Sequence, residues 1–259
     1  MRLSAFASIE HSLQSALTSY FSRHRIGAED PATRATMATN SSKLELRARP
    51  LVEMLSRRGL HDLSGLSIVD LGCGFGALAV YFAWHGARVV GIDANPKFFD
   101  VGVAVSNEHR LDVDLCEGRM QALDLDDESF DVAIANNTLC YLLSDEEHHA
   151  ALTEARRVLR PGGWMVVRDP NGHHPVDHFT GIPLLPLLRS QTASRLSTRR
   201  GRPRPDLRLV SPRAMRRAFE RAGMVAVRHE PARPGRLTRL ARPLARYSHF
   251  TAQRPANPA

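Results

Sequence analysis

Of the 259 residues only two are lysine, Lys43 and Lys97, and only three are cysteine, Cys73, Cys116 and Cys140. The cysteines are odd in number and scattered, and each sits in an apolar, strand-like context. That excludes a disulfide framework and suits small buried thiols in a reducing compartment. Long hydrophobic runs are also missing, since no stretch approaches the ~20 apolar residues of a membrane span. The N-terminus carries one basic residue before an apolar run cut by Glu10 and His11, a poor signal peptide. A cytoplasmic protein is expected. No internal repeat is visible, which argues against repeat architectures.

What remains is ordinary for a globular protein, with 43% hydrophobic and 24% charged residues. The length suits one α/β domain with extensions or two small domains. Charge is unevenly spread. Residues 189–259 hold 18 arginines against Asp206, Glu220 and Glu230, a balance of +15, so residues 1–188 carry −7. A basic C-terminal third can meet phosphates, nucleic acid or anionic lipid. The scarcity of lysine points equally to a GC-rich codon bias, which does not account for the missing carboxylates.

The most informative segment is Ile68-Val-Asp-Leu-Gly-Cys-Gly-Phe-Gly76. An apolar strand carries one carboxylate, Asp70, then Gly72, Gly74 and Gly76, and an apolar helical run follows to Trp84. Bare backbone at the turn lets a ligand lie against peptide groups. Beyond it strands and helices alternate. Strands are expected at Leu66–Leu71, Arg88–Asp93, Val113–Cys116, Phe130–Ala135 and Trp164–Arg168. Helices are expected at Leu44–Leu60, with Pro50 opening or kinking it, at Asn95–Glu108 and at Ser144–Leu159, the last begun by the capping box Ser144…Glu147. Another helix, Ser211 to Gly223, precedes strands at Val225–Arg228 and Tyr247–Gln253. Such alternation predicts an α/β fold with a doubly wound, mostly parallel sheet and helices on both faces. Ligands of such sheets collect at the carboxyl ends of the strands.

The loop alone leaves two cofactors open. Gly72-x-Gly74-x-x-Ala77 with Asp93 downstream also fits a dinucleotide fingerprint. Against it, the third glycine falls at 76, and Asp70 stands where a pyrophosphate would be repelled.

Four ordered segments decide the matter. Asp70 to Gly76, Val89-Val-Gly-Ile-Asp93, Gly118 to Val132, and Arg156-Arg-Val-Leu-Arg-Pro-Gly-Gly-Trp164 together resemble the class I S-adenosylmethionine-dependent methyltransferases over Ser64 to Asp169. The resemblance implies a Rossmann-like sheet with an antiparallel last strand and S-adenosyl-L-methionine as cofactor. It assigns cofactor binding to Asp70, Gly72, Cys73, Gly74, Gly76, Asp93, Ala94, Arg119, Met120, Gln121, Asn136 and Asn137. Within that set Asp70 organises the loop and faces the ammonium end. Asp93 accepts from both ribose hydroxyls, and Met120 and Gln121 meet the adenine. One residue departs from the pattern: where the family usually carries an acid after the glycine of the adenine loop, this chain has Arg119, which has no acceptor.

The acceptor side of this family lies over strands four and five. There the sequence offers Tyr141, then His173, His174 and His178, imidazoles able to take a proton from a hydroxyl. His173-His174-x-x-Asp177-His178 lacks metal-ligand spacing, so no metal is expected. Asn136-Asn137-Thr138-Leu139 is not the Asp/Asn-Pro-Pro-Tyr/Phe of DNA-adenine methylators. The expected organisation is an N-terminal helical and irregular extension, 1–40, and a methyltransferase domain, 41–259, with a substrate-capping insertion at about 171–210. The expected activity is methylation of a small molecule, at oxygen in preference to nitrogen or carbon. An anionic or lipid-linked acceptor and peripheral membrane contact suit the insertion's arginines. RNA methylation and a non-catalytic cofactor-binding scaffold are the alternatives, and the sequence leaves the oligomeric state open.

Overall fold

A computed structural model describes residues 2–24, 42–188, 190–201, 205–230 and 245–256. The expected irregular stretch before Ser42, the 40/41 boundary and Arg189, Arg202 and Arg204 lie outside these residues. Seven strands form one sheet: β1 (Ser67–Leu71), β2 (Arg88–Asp93), β3 (Val113–Glu117), β4 (Phe130–Asn136), β5 (Leu159–Pro170), β6 (Val225–Glu230) and β7 (Tyr247–Gln253). Their order is β3-β2-β1-β4-β5-β7-β6. β7 runs antiparallel to both β5 and β6. Rossmann-like topology with an antiparallel last strand is thus present. The chain divides into two compact units, 1–119 and 120–259.

The first unit holds β1 to β3, paired in parallel. Its helices are α1 (Arg2–Arg23), α2 (Leu44–Ser56), α3 (Ala77–Trp84) and α4 (Phe99–His109). α1 buries Ile9, Leu13, Leu17, Tyr20 and Phe21, a stripe at three- and four-residue spacing that faces the core. Its polar side is tied down as well. Ser12 Oγ donates to Glu108 Oε1 at 2.9 Å, and Glu10 Oε1 accepts from the Leu44 N–H at 2.8 Å. Segment 2–24 is therefore part of the first unit's core. α3 is buried from Ala77 to Ala83, as its unbroken apolar sequence requires. Pro50 lies inside α2 rather than at its start. Asn95 caps a 3-10 turn, Pro96–Phe98, that leads into α4.

The second unit holds β4 to β7 with α5 (Asp145–Val158), α6 (Ser190–Arg199) and α7 (Pro212–Arg221). Ser144 and Glu147 close the capping box on α5, and Ser211 caps α7 by accepting from the Ala214 N–H. β5 begins five residues earlier than expected. Phe130 pairs with Leu159 and Val132 with Trp164, and the register shift between them absorbs Pro161-Gly162-Gly163. Two arginines hold that turn. Arg254 donates to the carbonyls of Arg157 (2.9 Å) and Leu159 (2.5 Å) and pairs with Glu128. Arg157 donates to the carbonyls of Leu123 (2.9 Å) and Leu125 (2.8 Å) and pairs with Glu154. The insertion has a small core of its own, Ile182, Leu185 and Ala193 with Leu196 against it.

Space around α4 is tight where it passes the glycine loop. A Cβ on Gly102 would stand 2.8 Å from the Phe75 carbonyl oxygen and 2.8 Å from Leu115 Cδ1. Alanine normally stabilises a helix interior by about 1 kcal/mol over glycine. Here overpacking of roughly 1–3 kcal/mol should outweigh that gain. Gly102→Ala is expected to lower the midpoint of chemical denaturation, and a raised midpoint would refute the tight approach.

Candidate functional site

The loop after β1 owes its shape to the carboxylate at the end of β2. Asp93 Oδ2 accepts from the Gly74 N–H and Oδ1 from the Asn95 N–H, both at 2.9 Å. The Ile92 carbonyl accepts from the Gly72 N–H at 2.7 Å and the Cys73 N–H at 3.1 Å. Gly72, Gly74 and Gly76 have φ of 76°, 53° and 73°, left-handed values that side chains resist. A Cβ on Gly74 would meet nothing within 4 Å, so its face of the loop is open. The opposite face is closed by aromatic rings. Phe75 packs edge-on against Tyr20 at 5.2 Å and Phe21 at 5.6 Å, and lies 4.8 Å from Phe98. Thus α1 buttresses the loop through Tyr20 and Phe21.

Asp70 lies under this loop, 1% exposed, with Oδ2 buried and unpartnered among the described residues. Burial, then the neighbouring Asp93 charge, push its carboxyl up to about 7, while the Arg47 guanidinium opposes them. Arg47 sits on α2, where no sequence motif marks it. Cys73 is no nucleophile, because burial raises its thiol pKa far above neutrality. Ala94 follows Asp93 within the same turn, and Arg119 is exposed.

In the second unit Met120 and Gln121 are half-buried on a turn before β4. Asn136 and Asn137 end β4. Asn136 Oδ1 accepts from Arg168 Nη1 at 3.2 Å. Asn137 adopts a left-handed φ of 57°, and its buried Oδ1 has no partner among the described residues. Beside them Asp169 is 2% exposed. Burial lifts its carboxyl to about 7 against the pull of the backbone N–H groups of Thr138, Cys140 and Leu139.

The three histidines separate by environment. His173 is exposed and His174 half-buried. His178 is engaged on both ring nitrogens. Nδ1 accepts from Arg246 Nε at 3.0 Å, and Nε2 lies 2.9 Å from the Tyr247 hydroxyl. Burial and then the charges of Arg246 and Arg168 lower its pKa to about 4. With Nδ1 occupied by a guanidinium donor, the ring proton sits on Nε2 and no lone pair is left for an acceptor's proton. This removes His178 from the bases expected from sequence. Tyr141 is exposed and meets Phe179 edge-on at 6.4 Å. Sequence reasoning missed Arg168 and Tyr247, which have no local signature and come together only through β5–β7 pairing.

Similarity to known proteins points the same way. A methyltransferase-domain family model matches residues 69–167. These residues thus match a methyltransferase domain, consistent with the class I S-adenosylmethionine-dependent methyltransferases. Among curated relatives, human thiol S-methyltransferase TMT1B is 32% identical over 141 residues, covering 51% of this chain and 55% of that protein. The ubiquinone biosynthesis O-methyltransferase of Cereibacter sphaeroides is 33% identical over 102 residues, 39% of this chain and 40% of that one. The chain thus spans about half or less of the length of such relatives. A crystal structure of an S-adenosylmethionine-dependent methyltransferase from Mesorhizobium loti has the same fold, with a TM-score of 0.58 at 22% identity over 80% of this chain and 98% of that one.

The raised Asp70 pKa carries a signed consequence. A carboxyl whose folded pKa lies above its unfolded value of about 4 favours folding below that pH, and loses that contribution as pH rises through about 7. Asp70→Asn should therefore gain stability over the parent between pH 5 and pH 8, by up to about 4 kcal/mol. Thermal midpoints of both proteins across that range check it, and an equal offset at every pH would contradict it.

Proposed function

We propose that the protein transfers a methyl group from S-adenosylmethionine to a small-molecule acceptor, at oxygen. Asp70 carries this reading. Its buried carboxyl has an unpartnered oxygen directly beneath a loop of left-handed glycines. That environment suits a ligand with a cationic group and no phosphate, since a phosphate would add like charge to Asp70 and Asp93. S-adenosylmethionine supplies, when bound, a methyl on a sulfonium that an acceptor atom displaces directly. The chain's residues bind and orient. Asp70 faces the ammonium end, Gly72, Cys73, Gly74 and Gly76 expose backbone to the methionine part, and Asp93 keeps lone pairs for the ribose hydroxyls. Ala94 lies beside the ribose. Met120, Gln121 and the two asparagines take the adenine side, with Arg119 stacking from the exterior. A hydroxyl acceptor must lose a proton, a role that falls to His173 or His174, with Tyr141 beside the acceptor.

S-adenosylhomocysteine at 100 times its dissociation constant should stabilise the protein by about 2.7 kcal/mol. Thermal unfolding measures this, with NAD as control, and Asp93→Ala should abolish the shift. Stabilisation by NAD alone would transfer the loop to a dinucleotide. A shift without turnover on any hydroxyl compound would favour the scaffold, and salt-sensitive RNA binding with RNA methylation would favour the nucleic-acid alternative.

A second observation favours a lipid-linked acceptor and contact with an anionic membrane. Tyr141, Leu143, Phe179, Leu184, Leu187 and Leu188 are exposed, Leu184 by 60% and Leu187 by 67%. A groove of about 370 Å³ is lined by Leu143, Leu188, Leu207 and Leu209 together with the polar Ser190, Gln191, Asp206 and Arg208. Residues 178–205 contain six arginines and no carboxylate. Of these Arg195, Arg199 and Arg200 are exposed. Apolar prongs beside basic charge suit a lipid interface. Cosedimentation with phosphatidylcholine vesicles should appear only when phosphatidylglycerol is added, and should vanish in Leu184→Asp/Leu187→Asp. Equal partition to neutral vesicles, or none to either, would retire the membrane contact.

A further inference from the structure

Two guanidinium groups surround the ring of Tyr247. The Arg168 guanidinium carbon lies 3.4 Å from the ring centroid and that of Arg246 lies 6.0 Å away. Among the described residues neither arginine stands in an ion pair. Arg168 spends Nη1 on the neutral Asn136 amide, and Arg246 is bonded only to the ring nitrogen and carbonyl of His178. Arg168 is half-buried, and its Nε is buried without a partner. Its sequence neighbour Asp169 points to the other face of β5 by strand alternation. Arg246 is exposed, so it is the half-buried Arg168, with only a neutral amide on Nη1, whose desolvation a bound anion would offset.

Proton direction makes the site more specific. A guanidinium can only donate, so Arg246 Nε–H donates to His178 Nδ1 and forces the ring proton onto Nε2. Nε2–H then donates to the Tyr247 hydroxyl oxygen, 2.9 Å away. With its oxygen already accepting, Tyr247 has its own proton left to give. Arg168 also hydrogen-bonds Tyr247, as a donor to the same oxygen, so the donors left unspent side by side are Tyr247 O–H and the unpartnered Arg168 Nε–H. Both stand at the carboxyl end of β5. Arg168 is in register with Asn136 on β4 and His249 on β7, and Tyr247 opposes Pro170. Strand carboxyl ends are where ligands of such sheets bind.

We propose that Arg168 and Tyr247 form an oxyanion subsite that selects methyl acceptors carrying a carboxylate. The subsite rests on the methyltransferase function proposed above and names the acceptor's second functional group. His178 and Arg246 act through Tyr247 as positioning residues by setting the direction of its proton.

The test uses the full chain loaded with S-adenosylhomocysteine and two probes of equal shape, benzoate and benzamide, with affinities read by calorimetry near pH 7.5. Benzoate should bind about tenfold or more tightly than benzamide, the size expected of a charge-assisted hydrogen bond. Arg168→Gln should erase that preference, and Tyr247→Phe, which removes one oxygen, should weaken benzoate several-fold. Both variants should keep the parent's thermal shift with S-adenosylhomocysteine. Should Arg168→Gln fail to fold, Tyr247→Phe decides alone. Benzoate binding that is absent, matched by benzamide, or unaltered in Tyr247→Phe overturns the subsite. Loss of the S-adenosylhomocysteine shift in the parent protein overturns the methyltransferase function instead, so the two failures are distinguishable.

Discussion

The carboxylate of Asp93 holds two turns of the chain at once, one oxygen on the Gly74 N–H and the other on the Asn95 N–H. Much of the first unit is arranged around that clasp. The loop can close on Asp93 only because Gly72, Gly74 and Gly76 accept left-handed backbone, and because Gly91 leaves room for Cys73. A Cβ on Gly91 would lie 2.9 Å from the Cys73 sulfur and 2.6 Å from Leu115 Cδ2. Phe75, displaced to the far side of the loop, finds its packing against Tyr20 and Phe21 of α1. A helix that reads as an extension in the sequence is thus part of the support for the ligand loop.

The same clasp explains the electrostatics. Asp93 stands close enough to Asp70 to raise its carboxyl, and burial contributes the larger part of that rise. A buried carboxyl such as Asp70, with one oxygen unpartnered among the described residues, is costly to ionise unless positive charge comes near. Arg47 offsets part of this from α2, and the rest is left for what binds. Stability is given up at the loop, as the cation-binding role proposed for Asp70 would require.

The second unit shows the opposite imbalance. Arg157 and Arg254 are absorbed by carbonyls and carboxylates of the segment before β4 and of the start of β5. Arg168 and Arg246 are left with neutral partners, the Asn136 amide, His178 and the Tyr247 ring. Arg246 stays exposed to water, while Arg168 is half-buried with its Nε unpartnered among the described residues. Their placement around one phenol, together with a histidine whose tautomer is dictated, is what the proposed acceptor subsite at this end of β5 rests on.

Local chemistry was enough to specify much of this protein. Apolar periods, Asn95-Pro96, Ser144…Glu147 and Ser211-Pro212 encode elements and caps that depend on residues a few positions apart. The strand and helix order and the glycine loop are therefore legible in the sequence. Asp70 and Asp93 are legible for the same reason, since each sits at a strand end beside its own turn. Distant pairings are not. The packing of α1 behind Phe75, the approach of Arg47 to Asp70, the early start of β5 across its register shift, and the meeting of Arg168 with Tyr247 depend on segments tens of residues apart. The role of His178 changes most: its sequence suggests a base, but two partners nearly 70 residues away occupy both nitrogens. An imidazole's chemistry depends on which donors and acceptors reach it, and only the folded sheet brings them there.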